Sequence, residues 1–156
     1  MLKFFQLLLL ALATFWPATH AQAETCGGRI ACTIDGADGG TFYVVEPAVH
    51  SAPTSLKMFV FFHGHNGSGK GVLRNRRLIR NLHQQGYVVI APDGPQFRFN
   101  NRTTRGWAAR RETGNPRGGR DDIIFVENVL KAVATRYNLA IEETVVSGFS
   151  SGGSMA

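Results

Sequence analysis

The sequence predicts one α/β domain in which a mostly parallel sheet is flanked by helices. Residues 57–62 and 87–91 are short, almost wholly apolar runs, which is typical of strands covered on both faces. Amphipathic helical patterns follow each of them, so strands and helices alternate at the spacing of βαβ units. The 156 residues, 44% of them hydrophobic, are enough for one core and show no repeat.

The first half of the domain contains three predicted strands and one helix. Residues 41–46 alternate and are β-branched, so they predict a strand, followed by the strand at 57–62. Residues 72–85 predict a helix with one apolar side and one arginine-rich side, and Gly86 is well placed to end it. The strand at 87–91 comes next.

The second half predicts a loop, a helix and a strand. Residues 96–120 are rich in Gly, Arg and Asn and show no periodicity, which favours a long functional loop. Asp121 and Asp122 then open a strong helix, because acidic residues suit the positive end of a helix. The last predicted strand is 144–147.

The chain begins with the pattern of a secretory signal peptide over residues 1–23. Lys3 precedes an apolar run that Pro17 ends, and Ala-Gln-Ala at 21–23 has the small residues of a cleavage site. The run is shorter than the ~20 residues of a membrane span. We therefore expect residues 24–156 to be secreted or periplasmic, with no stable membrane anchor.

Cysteine content and charge are consistent with an exported protein. Cys26 and Cys32 lie six residues apart, and outside the cytoplasm such a pair favours a local disulfide over a metal site. The net charge of +6 is regional, with twelve Lys or Arg residues between positions 70 and 120. We interpret these residues as a solvated basic face and expect no nucleic-acid partner. Attraction of an acidic substrate or an anionic cell envelope is the alternative.

The last predicted strand leads into Gly148-Phe149-Ser150-Ser151-Gly152, which matches the G-x-S-x-G pattern. A nucleophilic serine at a sharp strand-to-helix turn has strained dihedral angles, so the positions two before and two after it must lack side chains. The pattern predicts Ser150 as a nucleophile, with a plain Gly/Ser turn as the alternative. The backbone N–H of Ser151 is then one oxyanion donor.

The loop at 63–71 has two interpretations. His63-Gly64-His65 follows an apolar strand, where the second oxyanion donor is expected, and we assign that role to the His65 backbone N–H. Gly64 through Lys70 is also close to a phosphate-binding P-loop. Position 71 is Gly, however, where that motif needs a hydroxyl to ligate Mg²⁺, so nucleotide binding is a remote alternative.

Several segments together resemble the polyhydroxybutyrate-depolymerase/feruloyl-esterase-like branch of the α/β-hydrolases. They are FFHGH at 61–65, APDG at 91–94, Trp107, DDIIF at 121–125, ATRYN at 134–138 and SGFSSGGSMA at 147–156. The resemblance implies an α/β-hydrolase fold and secreted ester hydrolysis through an acyl-serine, with no metal or organic cofactor. It implies a polyester oligomer, an acylated polysaccharide or a small ester as substrate. The 96–120 segment, with Trp107, would border the acyl or alcohol pocket.

The order of catalytic residues departs from that family. The triad acid and histidine follow the serine in this fold, whereas all five histidines here precede Ser150. We therefore expect residues 24–156 to be the N-terminal part of a domain truncated after the nucleophile elbow, with 144–147 as an exposed sheet edge. The alternative is a catalytically inert product that retains a polysaccharide- or polyester-binding surface.

Overall fold

A computed structural model describes residues 26–48, 55–108 and 119–156. Its strands are β1 (Cys32–Ile34), β2 (Gly40–Val45), β3 (Lys57–Phe62), β4 (Tyr87–Pro92), β5 (Gln96–Phe99), β6 (Arg102–Arg105) and β7 (Val145–Gly148). Its α-helices are α1 (Gly69–Val72), α2 (Arg76–Gln84) and α3 (Asp122–Tyr137), with 3₁₀ turns at Ile141–Glu143 and Ser150–Gly152. The predicted signal peptide, residues 1–23, lies outside the described residues. None of the helices described is long and apolar enough to cross a membrane.

The main sheet has five strands in the order β1-β2-β4-β3-β7. β3 runs parallel to β4 and β7, whereas β2 is antiparallel to both β1 and β4. The prediction of a mostly parallel sheet is therefore wrong, because this sheet is mixed. A parallel return needs a crossover of a dozen or more residues. The short turn between β1 and β2 cannot provide one, and the sequence between β2 and β3 has no helical pattern.

The core lies between the sheet and α3. Phe42 and Val44 of β2 face it, together with Phe125, Val129 and Val133 of α3. Alternate residues of a strand point to opposite faces. Tyr43 and Val45 therefore face the other side of the sheet, where α1 and α2 pack.

The helix predicted at 72–85 is divided in two. α1 ends at Val72, and Asn75 is the N-cap of α2, where its side-chain oxygen accepts a hydrogen bond from the Leu78 N–H at 3.1 Å. Asparagine favours such caps over helix interiors, which accounts for the interruption. Gly86, with φ of 81°, follows α2 as expected.

The prediction of an irregular loop at 96–120 is wrong for its first part, which is a β-hairpin. β5 and β6 pair in antiparallel register around Asn100 and Asn101, whose φ angles are 48° and 60°. A two-residue hairpin turn needs positive φ at both positions, and asparagine tolerates it. Residues 109–118 of the segment lie outside the described residues.

The start of α3 and the position of β7 in the sheet agree with the predictions from the sequence. Asp121 is the N-cap of α3, and its carboxylate accepts hydrogen bonds from the Ile123 and Ile124 N–H groups. β7 is an edge strand of the sheet, with Val145 and Val146 39% and 42% exposed. The prediction of an exposed apolar edge is confirmed.

Candidate active site

Two loops leave the sheet side by side at the ends of β3 and β7. The parallel register pairs Phe62 with Gly148, so the loop that begins at His63 and the turn that contains Ser150 start at the same edge. The Phe149 N–H donates a hydrogen bond of 3.1 Å to the Phe62 carbonyl oxygen. The sheet therefore brings together the two segments that the sequence singled out.

Ser150 has an unusual backbone conformation. Its φ is 53°, and the other non-glycine residues with positive φ in the described ranges are all asparagines. Asparagine tolerates this region, whereas serine there is uncommon and strained. β7 ends at Gly148 and a 3₁₀ turn begins at Ser150, which is the strand–turn–helix context of a nucleophile. Ser150 is exposed, so its hydroxyl is accessible.

The two motif glycines lie where no side chain fits. A Cβ atom at Gly148 would overlap the Gly152 carbonyl, and a Cβ atom at Gly152 would overlap the Phe62 carbonyl. Backbone atoms cannot move aside as a flexible side chain can. The glycines are therefore required by close backbone approach within the turn and between the turn and β3.

The His63–His65 loop lies directly against the serine. A Cβ atom placed on Gly64 would be 2.9 Å from the Phe149 ring and 3.4 Å from the Ser150 Cβ. Within the described residues, no backbone carbonyl accepts a hydrogen bond from the His65 or Ser151 N–H. The 3₁₀ turn starts its own bonds only at the Gly152 N–H, as expected at a helix start. In this part of the chain, both expected oxyanion donors are thus without a backbone carbonyl acceptor.

The His63 side chain shapes this loop. Its Nε2 accepts a hydrogen bond of 3.0 Å from the Gly94 N–H, so the proton is on Nδ1, which donates to the Gly64 carbonyl at 2.7 Å. The ring is buried, and burial lowers the pKa of His63 below 6.5. With both ring nitrogens bonded to backbone, His63 is a neutral structural residue rather than a general base.

Trp107 supports the same loop from the core. Its indole N–H donates a hydrogen bond of 2.9 Å to the His63 carbonyl, and its ring packs edge-on against Phe62 with centroids 5.1 Å apart. The side chain is only 4% exposed. The structure therefore places Trp107 behind the 63–65 loop. Its expected role at the border of the substrate pocket stays a prediction.

The His65 side chain packs against the β5–β6 hairpin. Its Nε2 lies 3.0 Å from Thr104 Oγ1, and its ring is edge-on to Phe97 and Phe99, with centroid distances of 6.3 and 6.5 Å. Next to it, the Asn66 N–H donates to the Arg105 carbonyl at 2.8 Å. The hairpin thus contacts the same loop that lies beside Ser150 at Gly64.

Sequence reasoning missed a buried ionic network beneath these loops. Arg120 Nε and Nη2 donate to Asp122 Oδ1 at 2.9 and 2.7 Å, and Nη2 also donates to the Asp93 carbonyl at 3.0 Å. Asp122 Oδ2 accepts a 2.7 Å hydrogen bond from the Ala108 N–H, adjacent to Trp107. Burial raises the pKa of Asp122, opposed by the Ala108 N–H and the Arg120 charge. In the sequence, nothing distinguishes Arg120 from the other arginines of the 96–120 segment.

The arrangement of the 67–71 loop disfavours a nucleotide. The Gly69 N–H donates to Asp93 Oδ1 at 2.6 Å, and the Gly71 N–H donates to Ser68 Oγ at 3.1 Å. The backbone groups that would cradle a phosphate are thus bonded within the chain. The Asp93 carboxylate, which is also paired with Arg105 at 2.7 Å, would repel a phosphate at this place.

Ser150 has no described activating partner. Across residues 26–48, 55–108 and 119–156, no hydrogen bond joins its hydroxyl to a histidine or carboxylate. The same ranges contain no cluster of three or more His, Cys, Asp or Glu residues that could hold a metal ion. Cys26 and Cys32 form a disulfide, with Cα atoms 5.0 Å apart, that joins β1 to the turn before it.

No family model matches this chain, and no curated protein matches it.

Proposed function

We propose that this chain carries the nucleophile and the oxyanion loop of a serine carboxylic-ester hydrolase with an α/β-hydrolase fold. The observation that carries the proposal is Ser150 at φ of 53°, between two glycines that admit no side chain and beside Gly64. A chance Gly/Ser turn needs neither the strained serine nor the close approach of the 63–65 loop. The resemblance to polyhydroxybutyrate depolymerases and feruloyl esterases supports the same chemistry.

In the proposed mechanism Ser150 Oγ attacks the carbonyl carbon of an ester. The carbonyl oxygen becomes an oxyanion that accepts hydrogen bonds from the Ser151 and His65 N–H groups. The C–O bond to the alcohol then breaks, the alcohol takes up a proton, and the acyl group stays on Ser150. Water hydrolyses the acyl-enzyme and restores the serine. No metal or organic cofactor takes part.

Proton removal from Ser150 requires a general base, and none is identified among the described residues. We propose that the base and its acid partner come from residues outside this chain, in keeping with the Ser…Asp/Glu…His order of the fold. The substrate class is a polyester oligomer, an acylated polysaccharide or a small ester. We further propose that residues 1–23 direct the chain into the periplasm or medium.

Fluorophosphonate labelling tests the nucleophile. In a form of the protein that includes the general base and its acid partner, we expect covalent labelling on the peptide that contains Ser150, lost in Ser150→Ala and retained in Ser154→Ala, which changes an exposed serine of the same segment. Mass spectrometry of the labelled peptide measures it. Labelling that persists in Ser150→Ala removes this serine as the nucleophile.

Hydrolysis of p-nitrophenyl acetate tests the missing base. Because loss of a triad member costs several orders of magnitude in rate, we expect this chain to hydrolyse the ester no faster than Ser150→Ala. A clear Ser150-dependent rate would mean that a base is supplied within this chain.

A catalytically inert binding protein is the second candidate. The absence of an activating partner for Ser150 among the described residues favours it. Saturable binding of a polyester oligomer by a protein that fluorophosphonate does not label at Ser150 would support this candidate over the enzyme.

A further inference from the structure

A basic groove lies between the α1–α2 face and the turn that precedes β1. It encloses about 480 Å³. Its side chains are two aliphatic residues and four cations: Val45, Leu73, Arg29, Lys70, Arg74 and Arg76. All four cationic residues are exposed.

Within the described residues, no ion pair neutralises the positive charge of the basic groove. Among the described residues, the ion pairs are Lys57–Glu143, Arg105–Asp93 and Arg120–Asp122, and none of them involves a cation of the groove. These four cations therefore create an uncompensated positive potential that attracts anions.

The nearest acidic residue along β2 points away from the groove. Phe42 and Val44 face α3, and strand alternation places Glu46 on that same side. Burial and then the charge of Glu46 raise the pKa of Tyr137, which belongs to α3. Glu46 thus contributes its charge to the opposite face of the sheet.

We propose that the basic groove binds an acidic oligosaccharide. Guanidinium groups bind carboxylate, phosphate and sulfate through paired hydrogen bonds, and a chain with repeated anionic groups can reach several of the four cations at once. None of the described lining residues is aromatic, so the groove has no platform on which nucleic-acid bases could stack. The two aliphatic side chains also offer far less apolar area than a stable protein–protein interface needs, since such an interface buries ~1,600 Å² in total.

The basic groove is separate from Ser150. It borders β2, whereas Ser150 follows β7, three strand positions away in the sheet. At a strand spacing of about 4.8 Å this is a separation of about 14 Å. Binding there does not require the serine, so it is a function beyond ester hydrolysis: retention of the protein on an acidic polymer.

Calorimetric titration with a short oligogalacturonate at low salt tests the proposal. We expect saturable binding that Arg74→Gln weakens about tenfold, because it removes a charge-assisted contact. Arg77→Gln is the matched control: Arg77 is exposed on α2 but does not line the groove. We expect it to weaken binding less than about twofold, because Arg77 does not line the groove and its loss removes no direct contact with the ligand.

Several results would overturn this assignment. They are no binding at low salt, equal weakening by Arg74→Gln and Arg77→Gln, equal affinity for a neutral xylo-oligosaccharide, and equal or tighter binding of a single-stranded oligonucleotide of the same charge. Titration of Ser150→Ala should give the wild-type affinity. Because groove binding is measured in that variant, failure of the esterase proposal would not affect the groove proposal. Failure of groove binding would likewise not affect the esterase proposal.

Discussion

Substitution of Arg120 by methionine should severely destabilise the fold. Arg120 is 6% exposed and Asp122 is 1% exposed, and the Arg120 guanidinium donates to the Asp122 carboxylate. Methionine keeps an unbranched apolar stem but leaves that carboxylate with the Ala108 N–H as its remaining described donor. Removal of one partner of a buried ion pair costs about 3–5 kcal/mol of unfolding free energy.

The loss should depend on pH in a defined direction. Burial already raises the pKa of Asp122 above 3.8, so the folded state binds the proton more tightly than the unfolded state does. Its contribution to stability therefore falls as pH rises from 3.8 through the folded-state pKa. Without Arg120 that pKa rises further, because a favourable charge is removed. The destabilisation by Arg120→Met should thus be larger at pH 7 than at mildly acidic pH.

Urea unfolding of the wild type and the variant at several pH values measures both effects. Arg77→Met is the control, since the same change at an exposed position should alter the unfolding free energy by less than about 0.5 kcal/mol. A loss by Arg120→Met below about 1 kcal/mol, or one that grows on acidification, would refute the role assigned to this ion pair.

Two further predictions concern the turn and the loop. Gly148→Ala and Gly152→Ala should each lower the unfolding free energy by more than about 2 kcal/mol, because a Cβ would overlap backbone carbonyls. Gly71→Ala is the control and should cost less than about 1 kcal/mol, because a Cβ there meets only a serine side chain. Thermal unfolding compares the three variants, and equal shifts would contradict the packing argument. Stability should also fall as pH drops below 6.5, because burial lowers the pKa of His63 and the unfolded state takes up the proton first. His83 has a pKa lowered in the same direction, so the comparison is made in a His83→Gln background, where His63→Gln should flatten the remaining slope; an unchanged slope would contradict the assignment.

Two inner strands of the main sheet, β3 and β4, were predicted well because their burial is visible in the apolar composition of their segments. β3 has the predicted bounds, and β4 differs from the predicted strand by one residue. β1 was missed, because three residues with one buried side chain leave no periodicity to detect. The antiparallel direction of β2 was not predicted either, because no local sequence pattern records the direction in which a strand pairs with its neighbours.

The candidate site was predictable where backbone geometry requires particular residues. Gly148 and Gly152 are visible in sequence because no other residue fits, and they locate the serine between them. The residues that fix the conformation of the 63–65 loop were not predictable in that role. Trp107 acts through one indole hydrogen bond to a backbone carbonyl, and Arg120 through burial, and neither long-range contact leaves a local sequence pattern.

The His63 ring has a consequence for how a ligand would be received. The His63 ring is hydrogen-bonded to both Gly64 and Gly94, and the Trp107 indole holds the His63 carbonyl. The conformation of the 63–65 loop is therefore set when the chain folds. The conformational entropy of ordering that loop is therefore lost before any substrate arrives. Preorganised donors of this kind need little reorganisation when charge develops on a bound oxygen, so binding energy can be used on the substrate rather than on the loop.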